Sequence, residues 1–132
     1  MSTPLYLTWS DDFSQDGDLI IDEQHRAIVA TINSLHYFLQ QGHGLKGLIP
    51  TIKIVSQYIQ FHAKTEEGIL LENEYENIAE YIDKAKQDLT AYNKACRVAL
   101  TEQDPQHLLI FLKNWWNQHL KDHNELSGDL KS

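Results

Sequence analysis

Cysteine is nearly missing from this sequence. Cys96 stands alone among 132 residues, which excludes an intramolecular disulfide and points to a reducing compartment, so a cytoplasmic location is expected. Long apolar runs are missing as well: none approaches the roughly 18 residues that a membrane span needs. The segment from Met1 to Leu7 lacks a basic start followed by an apolar stretch, so no signal peptide is expected. Positive charge is scarce. Lys and Arg number 11 against 19 Asp and Glu, for a formal net charge of −8, and the basic residues form no cluster. That argues against nucleic acid and against an anionic membrane surface as partners. Internal repeats, low-complexity tracts and strand-like alternation are all wanting.

Histidine, by contrast, is abundant, with seven in the chain. The length fits one domain with a workable core, taken as residues 1–132 with residues 1–21 as an N-terminal arm. That arm carries Pro4, Gly17 and a polar, acidic stretch from Ser10 to Asp18. Trp9, Leu19, Ile20 and Ile21 would pin it onto the rest. Four helical patterns follow. The first starts with Asp22 as N-cap and runs to about Gln40, where Gly42 and Gly44 stop it. Its apolar stripe is Val29, Ile32, Leu35 and Leu39, and His25 and His36 fall in line with it. The second runs from about Pro50 to Glu72, with the stripe Ile52, Val55, Ile59, His62, Glu66 and Ile69. The third covers about Glu76 to Leu100, with Ile78, Tyr81, Ala85, Leu89, Tyr92 and Cys96 inward. The fourth, capped by Asp104, runs from about Pro105 to Gly128, with Leu108, Leu112, Trp115, His119 and Leu126 inward. Short connections favour an all-α, up-down-up-down antiparallel four-helix bundle.

Titratable residues sit among apolar neighbours on three of these helices: His25, His62 with Glu66 one turn on, and His119. Burying such groups without partners is costly. Bundle cores that gather imidazoles and a carboxylate from facing helices are metal sites. Imidazole suits iron, zinc, copper and nickel, and two histidines with one carboxylate form a known iron(II) set. Taken singly, each residue has an ordinary explanation. His25 reads as a solvated first-turn residue, His62 and Glu66 as a side-chain hydrogen bond, His119 as a core histidine beside Trp115 and Trp116. His36 reads as core or rim, and His43 and His107 as surface residues. Cys96 reads as core. Trp115 and Trp116 read as packing, with Trp116 also placed to face a partner.

Together the pieces resemble a known family. Ile21-Asp22-Glu23-Gln24-His25 resembles the DxQH entry of hemerythrins, with Trp9 upstream and Ile32-Asn33-Ser34-Leu35 after it in the family's order. Phe61-His62-Ala63-Lys64-Thr65-Glu66-Glu67 resembles the family's HFxxEE segment, with Phe61 moved to precede the histidine. Tyr75 stands where the family has a tyrosine after its second helix. Trp115-Trp116-Asn117-Gln118-His119-Leu120 resembles its WLxxHI segment. The resemblance implies a non-haem di-iron protein with five histidines and two bridging carboxylates. His25 and His62 match the two-histidine iron, where O2 binds, Glu66 matches the bridging glutamate, and His119 matches one histidine of the three-histidine iron.

The departures are large. The third helix of the family carries a His-x-x-x-His pair, and the corresponding positions here are Tyr81 and Ala85. The bridging aspartate is replaced by Asn124, with Asp122 and His123 off-register by about 100° per residue. Family O2 chemistry takes one electron from each of two irons, so ordinary reversible O2 carriage is not expected. The changes are mutually consistent for one metal: Asn124 removes a charge that would lack its counter-ion. Tyr81 fills vacated volume and supplies a hydroxyl, either to Glu66 or His119 or as a tyrosinate ligand. The expected site is His25, His62 and Glu66 with His119 as fourth ligand or outer partner, Tyr81 and Asn124 standing as ligands or supporting groups. Iron, more readily one ion than two, is expected, with zinc nearly as reasonable. O2 or NO would be the ligand in a sensing or redox role. Two other readings stand beside this: a metal-free bundle acting as a protein-binding module, and a di-iron O2-binding protein with substituted ligands. No second catalytic constellation or substrate motif appears, so enzymatic activity is not expected. Oligomeric state is open.

Overall fold

A computed structural model describes residues 5–9 and 19–131, with side chains at 5–9, 20–44 and 46–122. The four helices are α1 (Leu19–Gln40), α2 (Ile49–Glu72), α3 (Ile78–Glu102) and α4 (Pro105–Lys131), with a 3₁₀ turn over Leu45–Leu48 leading into α2. Successive helices pack on one another, α1 closes the ring against α4, and the connections are short. This is the expected up-down-up-down bundle. Among the described residues there is no strand, and no helix is long and apolar enough to cross a membrane.

The ends of the helices explain how so short a chain turns three times. Gly42 adopts φ +86°. The His43 N–H reaches the Phe38 carbonyl at 3.1 Å and the Gly42 N–H reaches that of Leu39 at 3.1 Å, which is a Schellman end built on glycine. α2 ends in the same way around Glu74, φ 53°, and α3 ends on a left-handed Gln103, φ 54°, with the N–H groups of Gln103 and Asp104 both donating to the Ala99 carbonyl. There side-chain-bearing residues hold the left-handed conformation at some cost. Pro50 lies in the first turn of α2, and at α4 the Asp104 carboxylate accepts the His107 N–H at a long 3.4 Å.

α1 begins at Leu19 rather than at Asp22, so Leu19, Ile20 and Ile21 belong to the helix and not to the arm. Ile21 is 2% exposed and continues the stripe of Ile28, Ile32 and Leu35; its burial carries the helix three residues upstream. Asp22 then lies in the first turn, where the helix dipole favours a carboxylate. Ile20 faces outward. The described part of the arm does pack on the bundle. Asn33 clamps Leu7 with two bonds of 2.7 Å, accepting from its N–H and donating to its carbonyl. The Tyr6 hydroxyl donates to the Leu109 carbonyl at 3.1 Å and its ring stacks on His36. Trp9 packs under the Arg26 guanidinium.

One apolar core joins the helices, from Ile28, Ile32 and Leu35 through Ile52, Val55 and Ile59 to Leu108, Leu112 and Trp116. Truncating one of these to alanine would cost about 2–5 kcal/mol. At the end of α2 the buried residue is Leu70, not Ile69. α3 contributes unevenly: Tyr92, Ala95 and Ala99 are buried, whereas Ile78, Tyr81, Ala85 and Leu89 of the expected stripe are half-buried. Its first half borders a cavity. Cys96 is half-buried at the edge of the core. His43 and His107 are exposed and His36 half-buried, as expected.

Candidate metal centre

The four proposed ligands converge. α1 presents His25, α2 presents His62 and Glu66, α4 presents His119, and one ligand atom from each lies within 4.8 Å of all the others. His25, His62 and Glu66 are 0%, 2% and 4% exposed, and the His119 side chain is 14% exposed. The placement follows from helical spacing. His25 precedes Ile28 and Ile32 on one face, and His62 and Glu66 are one turn apart. His119 sits just beside the buried row Leu112, Trp116 and Leu120, which accounts for its partial exposure.

Three Nε2 atoms form a triangle: His25–His62 3.1 Å, His25–His119 3.3 Å and His62–His119 2.9 Å. Glu66 Oε1 lies 2.6 Å from His62 Nε2, 3.5 Å from that of His119 and 3.9 Å from that of His25. Four donors at about 2.0–2.1 Å from one tetrahedral ion stand roughly 3.3 Å apart, and the six separations bracket that figure. The two indoles hold the imidazoles in place. His25 meets Trp116 edge-on at 5.3 Å, and His119 stacks on Trp115 at 5.0 Å. Trp116 is 1% exposed and packs inside the bundle.

A hydrogen-bond chain sets the proton on His62. The Thr65 hydroxyl donates to the Phe61 carbonyl at 3.1 Å, so its oxygen is left to accept. The Gln24 amide therefore turns its NH2 to Thr65, at 2.9 Å, and its oxygen to His62 Nδ1, also at 2.9 Å. Nδ1 carries the proton and, in the neutral ring, Nε2 presents a lone pair to Glu66 Oε1. Two lone pairs facing at 2.6 Å repel unless a cation lies between them. A doubly protonated His62 would satisfy Glu66, but its single Nε2 proton would not also serve His119 and His25. One cation satisfies every contact, so the residues fit a metal.

The other oxygen of Glu66 is taken. The Tyr81 hydroxyl donates to Oε2 at 2.5 Å. Burial first, and the carboxylate next to it second, hold the Tyr81 hydroxyl far above the ordinary tyrosine range. Tyr81 thus donates to Glu66 and orients it from the α3 side. His119 Nε2 lies beside those of His25 and His62, so the three imidazoles converge on one another. Asp122 points away from them, 3.1 Å from Lys84 Nζ and 2.9 Å from Gln118 Nε2. Asn124 and His123 lie on α4 outside the described side chains.

Beside the cluster a cavity of about 290 Å³ opens between α2, α3 and α4. His62, Glu66 and His119 form part of its lining, with Tyr81 and Ala85 on the α3 side. These two positions, histidines in the family pattern, border space here.

A model of the hemerythrin HHE cation-binding domain matches residues 16–127. The chain belongs to the hemerythrin family. Among curated proteins no sequence matches it significantly. The family's cation-binding character and the His/Glu cluster agree on a metal-binding protein of the hemerythrin type.

Sequence reasoning missed Gln24 and Thr65. Gln24 was visible in the segment ending at His25, and its place in front of that histidine was the signal. Its bond to His62 depends on how α1 and α2 meet, which spacing along one helix does not reveal.

Proposed function

We propose that this hemerythrin-family chain holds one metal ion, iron, on His25, His62, His119 and Glu66, and that it serves in gas sensing or redox chemistry rather than O2 carriage. The observation that carries this reading is the proton chain from Thr65 through Gln24 to His62, which turns a lone pair toward Glu66 at 2.6 Å. A count of one is supported by Tyr81, whose hydroxyl occupies the carboxylate oxygen that a second ion would need, and by Ala85 and Asn124 in place of family ligands. Three imidazoles and a carboxylate suit iron and zinc alike; family membership favours iron.

A ferrous ion in this position would supply an electron and a coordination position for O2 or NO. The chain's own residues do the rest. Gln24 orients His62, Tyr81 orients Glu66, Trp115 and Trp116 wall the imidazoles, and the cavity against His119 gives a small molecule access from solvent.

Elemental analysis of protein purified without a metal-affinity tag tests the reading. One metal per chain is expected, lost in both His62→Ala and Glu66→Ala, with NO altering the optical and EPR spectra of the ferrous form. Two irons per chain would overturn the one-metal count and restore a di-iron centre. No metal after incubation with iron or zinc, with stability indifferent to chelator, would make the bundle a metal-free interaction module.

A further inference from the structure

We propose that the cavity between α2, α3 and α4 is a binding site for a small aromatic amine, seated beside the metal cluster with its ammonium group at the mouth. The placement next to an ion rests on the metal-centre reading; the cavity and its selectivity do not.

The size is right for a small ligand. At about 290 Å³ the cavity stands at the lower end of the range of roughly 300–1,000 Å³ usual for ligand pockets. Its inner walls are apolar and partly aromatic: Ile59 and Ala63 from α2, Ala85 from α3 and Trp115 from α4. Ala85 is decisive, because any larger side chain there would project into the space. Trp115, stacked on His119 at 5.0 Å, offers its indole as an aromatic wall for the ligand's ring.

The mouth chooses the charge. Glu80, Asp88 and Asp122 border the cavity against a single ammonium, that of Lys84. Lys84 Nζ is already engaged, 3.1 Å from Asp122 and 3.8 Å from Asp88, so the rim keeps a negative excess. An organic anion would meet that excess, while an ammonium would join it. The whole chain points the same way, with a net charge of −8 that draws cations toward it. Inside, the Tyr81 hydroxyl is committed to Glu66, and beside the apolar walls this leaves the deep end better suited to an apolar ring than to a carboxylate or phosphate.

The test uses three probes of one shape: benzylammonium, benzyl alcohol and benzoate at pH 7, titrated by calorimetry and by tryptophan fluorescence. Each is added to zinc-loaded and to metal-free protein, with metal content measured on the same samples. Benzylammonium should bind at least about tenfold more tightly than benzoate, a difference of about 1.4 kcal/mol. Asp88→Asn combined with Glu80→Gln should shrink that preference several-fold. Ala85→Leu should weaken the amine about tenfold or more while keeping metal stoichiometry and helical circular dichroism unchanged. Benzoate binding as well as the amine, or amine binding untouched by Ala85→Leu, would overturn the proposal. Amine binding that survives in a protein taking up no metal would leave the cavity standing and remove the metal centre. One metal per chain with no amine selectivity would do the reverse.

Discussion

Gln24 offers the sharpest test of the site because it touches no metal yet sets the state of a ligand. Its side-chain oxygen accepts the His62 Nδ1–H at 2.9 Å in a buried position. In Gln24→Leu the shape is nearly kept and the acceptor is lost. His62 Nδ1–H would then be buried without its partner, and the ring would be free to rotate or change tautomer. Losing the outer partner of a metal-bound histidine costs about 10–100-fold in metal affinity, or about 1.4–2.7 kcal/mol. The metal-free protein should also lose about 1–3 kcal/mol of stability for the unsatisfied donor. Gln24→Glu separates the two effects. A carboxylate on Nδ1–H raises the basicity of the imidazole, so zinc should bind more tightly than to wild type, while burial of the extra charge lowers the stability of the metal-free form. The assay is zinc titration against a competing chromophoric chelator, with urea unfolding of both forms. Wild-type affinity in Gln24→Leu, or weaker binding in Gln24→Glu, would refute the proton assignment on His62.

Three further outcomes are expected. Tyr81→Phe deletes the hydrogen bond to Glu66 Oε2 and should lower stability by about 1–3 kcal/mol in urea unfolding, with metal content still near one per chain. Tyr81→His with Ala85→His places imidazoles one turn apart on α3 beside the cavity, and elemental analysis should then find more than one metal per chain; unchanged content would argue that the cavity does not stand where a second ion would. Burial holds the Cys96 thiol above its ordinary value, only partly offset by Tyr92 and Arg97. The folded chain therefore keeps this proton to higher pH than the unfolded chain. Its contribution is intact below the unfolded thiol value of about 8.5 and is lost as pH rises from there through the folded value; urea unfolding should show wild type losing more stability between pH 8 and 10 than Cys96→Ala.

The bundle was legible because its core rows repeat at helical spacing and because Gly42 and the Pro50 and Pro105 starts punctuate the chain. The cluster was legible for the same reason: His62 and Glu66 share a row with Val55 and Ile59, and His25 shares one with Ile28 and Ile32. What stayed hidden depends on contacts between helices. Leu70 and Ile69 are adjacent apolar residues, and only the packing of α2 decides which one turns inward. The start of α1 moved upstream because Ile21 finds a buried place, a fact about its neighbours rather than its own segment.

α3 shows how such a gap in the pattern carries meaning. Its sequence repeats inward positions from Ile78 to Cys96, yet full burial begins only at Tyr92. Periodicity reports which face of a helix points inward, not whether anything waits there to be touched. In the family pattern two histidines from this half of α3 would fill the interior and be held by an ion. Here Tyr81 reaches only the far oxygen of Glu66, and Ala85 reaches nothing of comparable size. The same two positions that put a hydroxyl on one oxygen of Glu66 and a methyl group one turn on therefore border the cavity. If one function of the site has been reduced, the space for another was made by the same step, and filling Ala85 with a larger side chain should abolish the second while sparing the first.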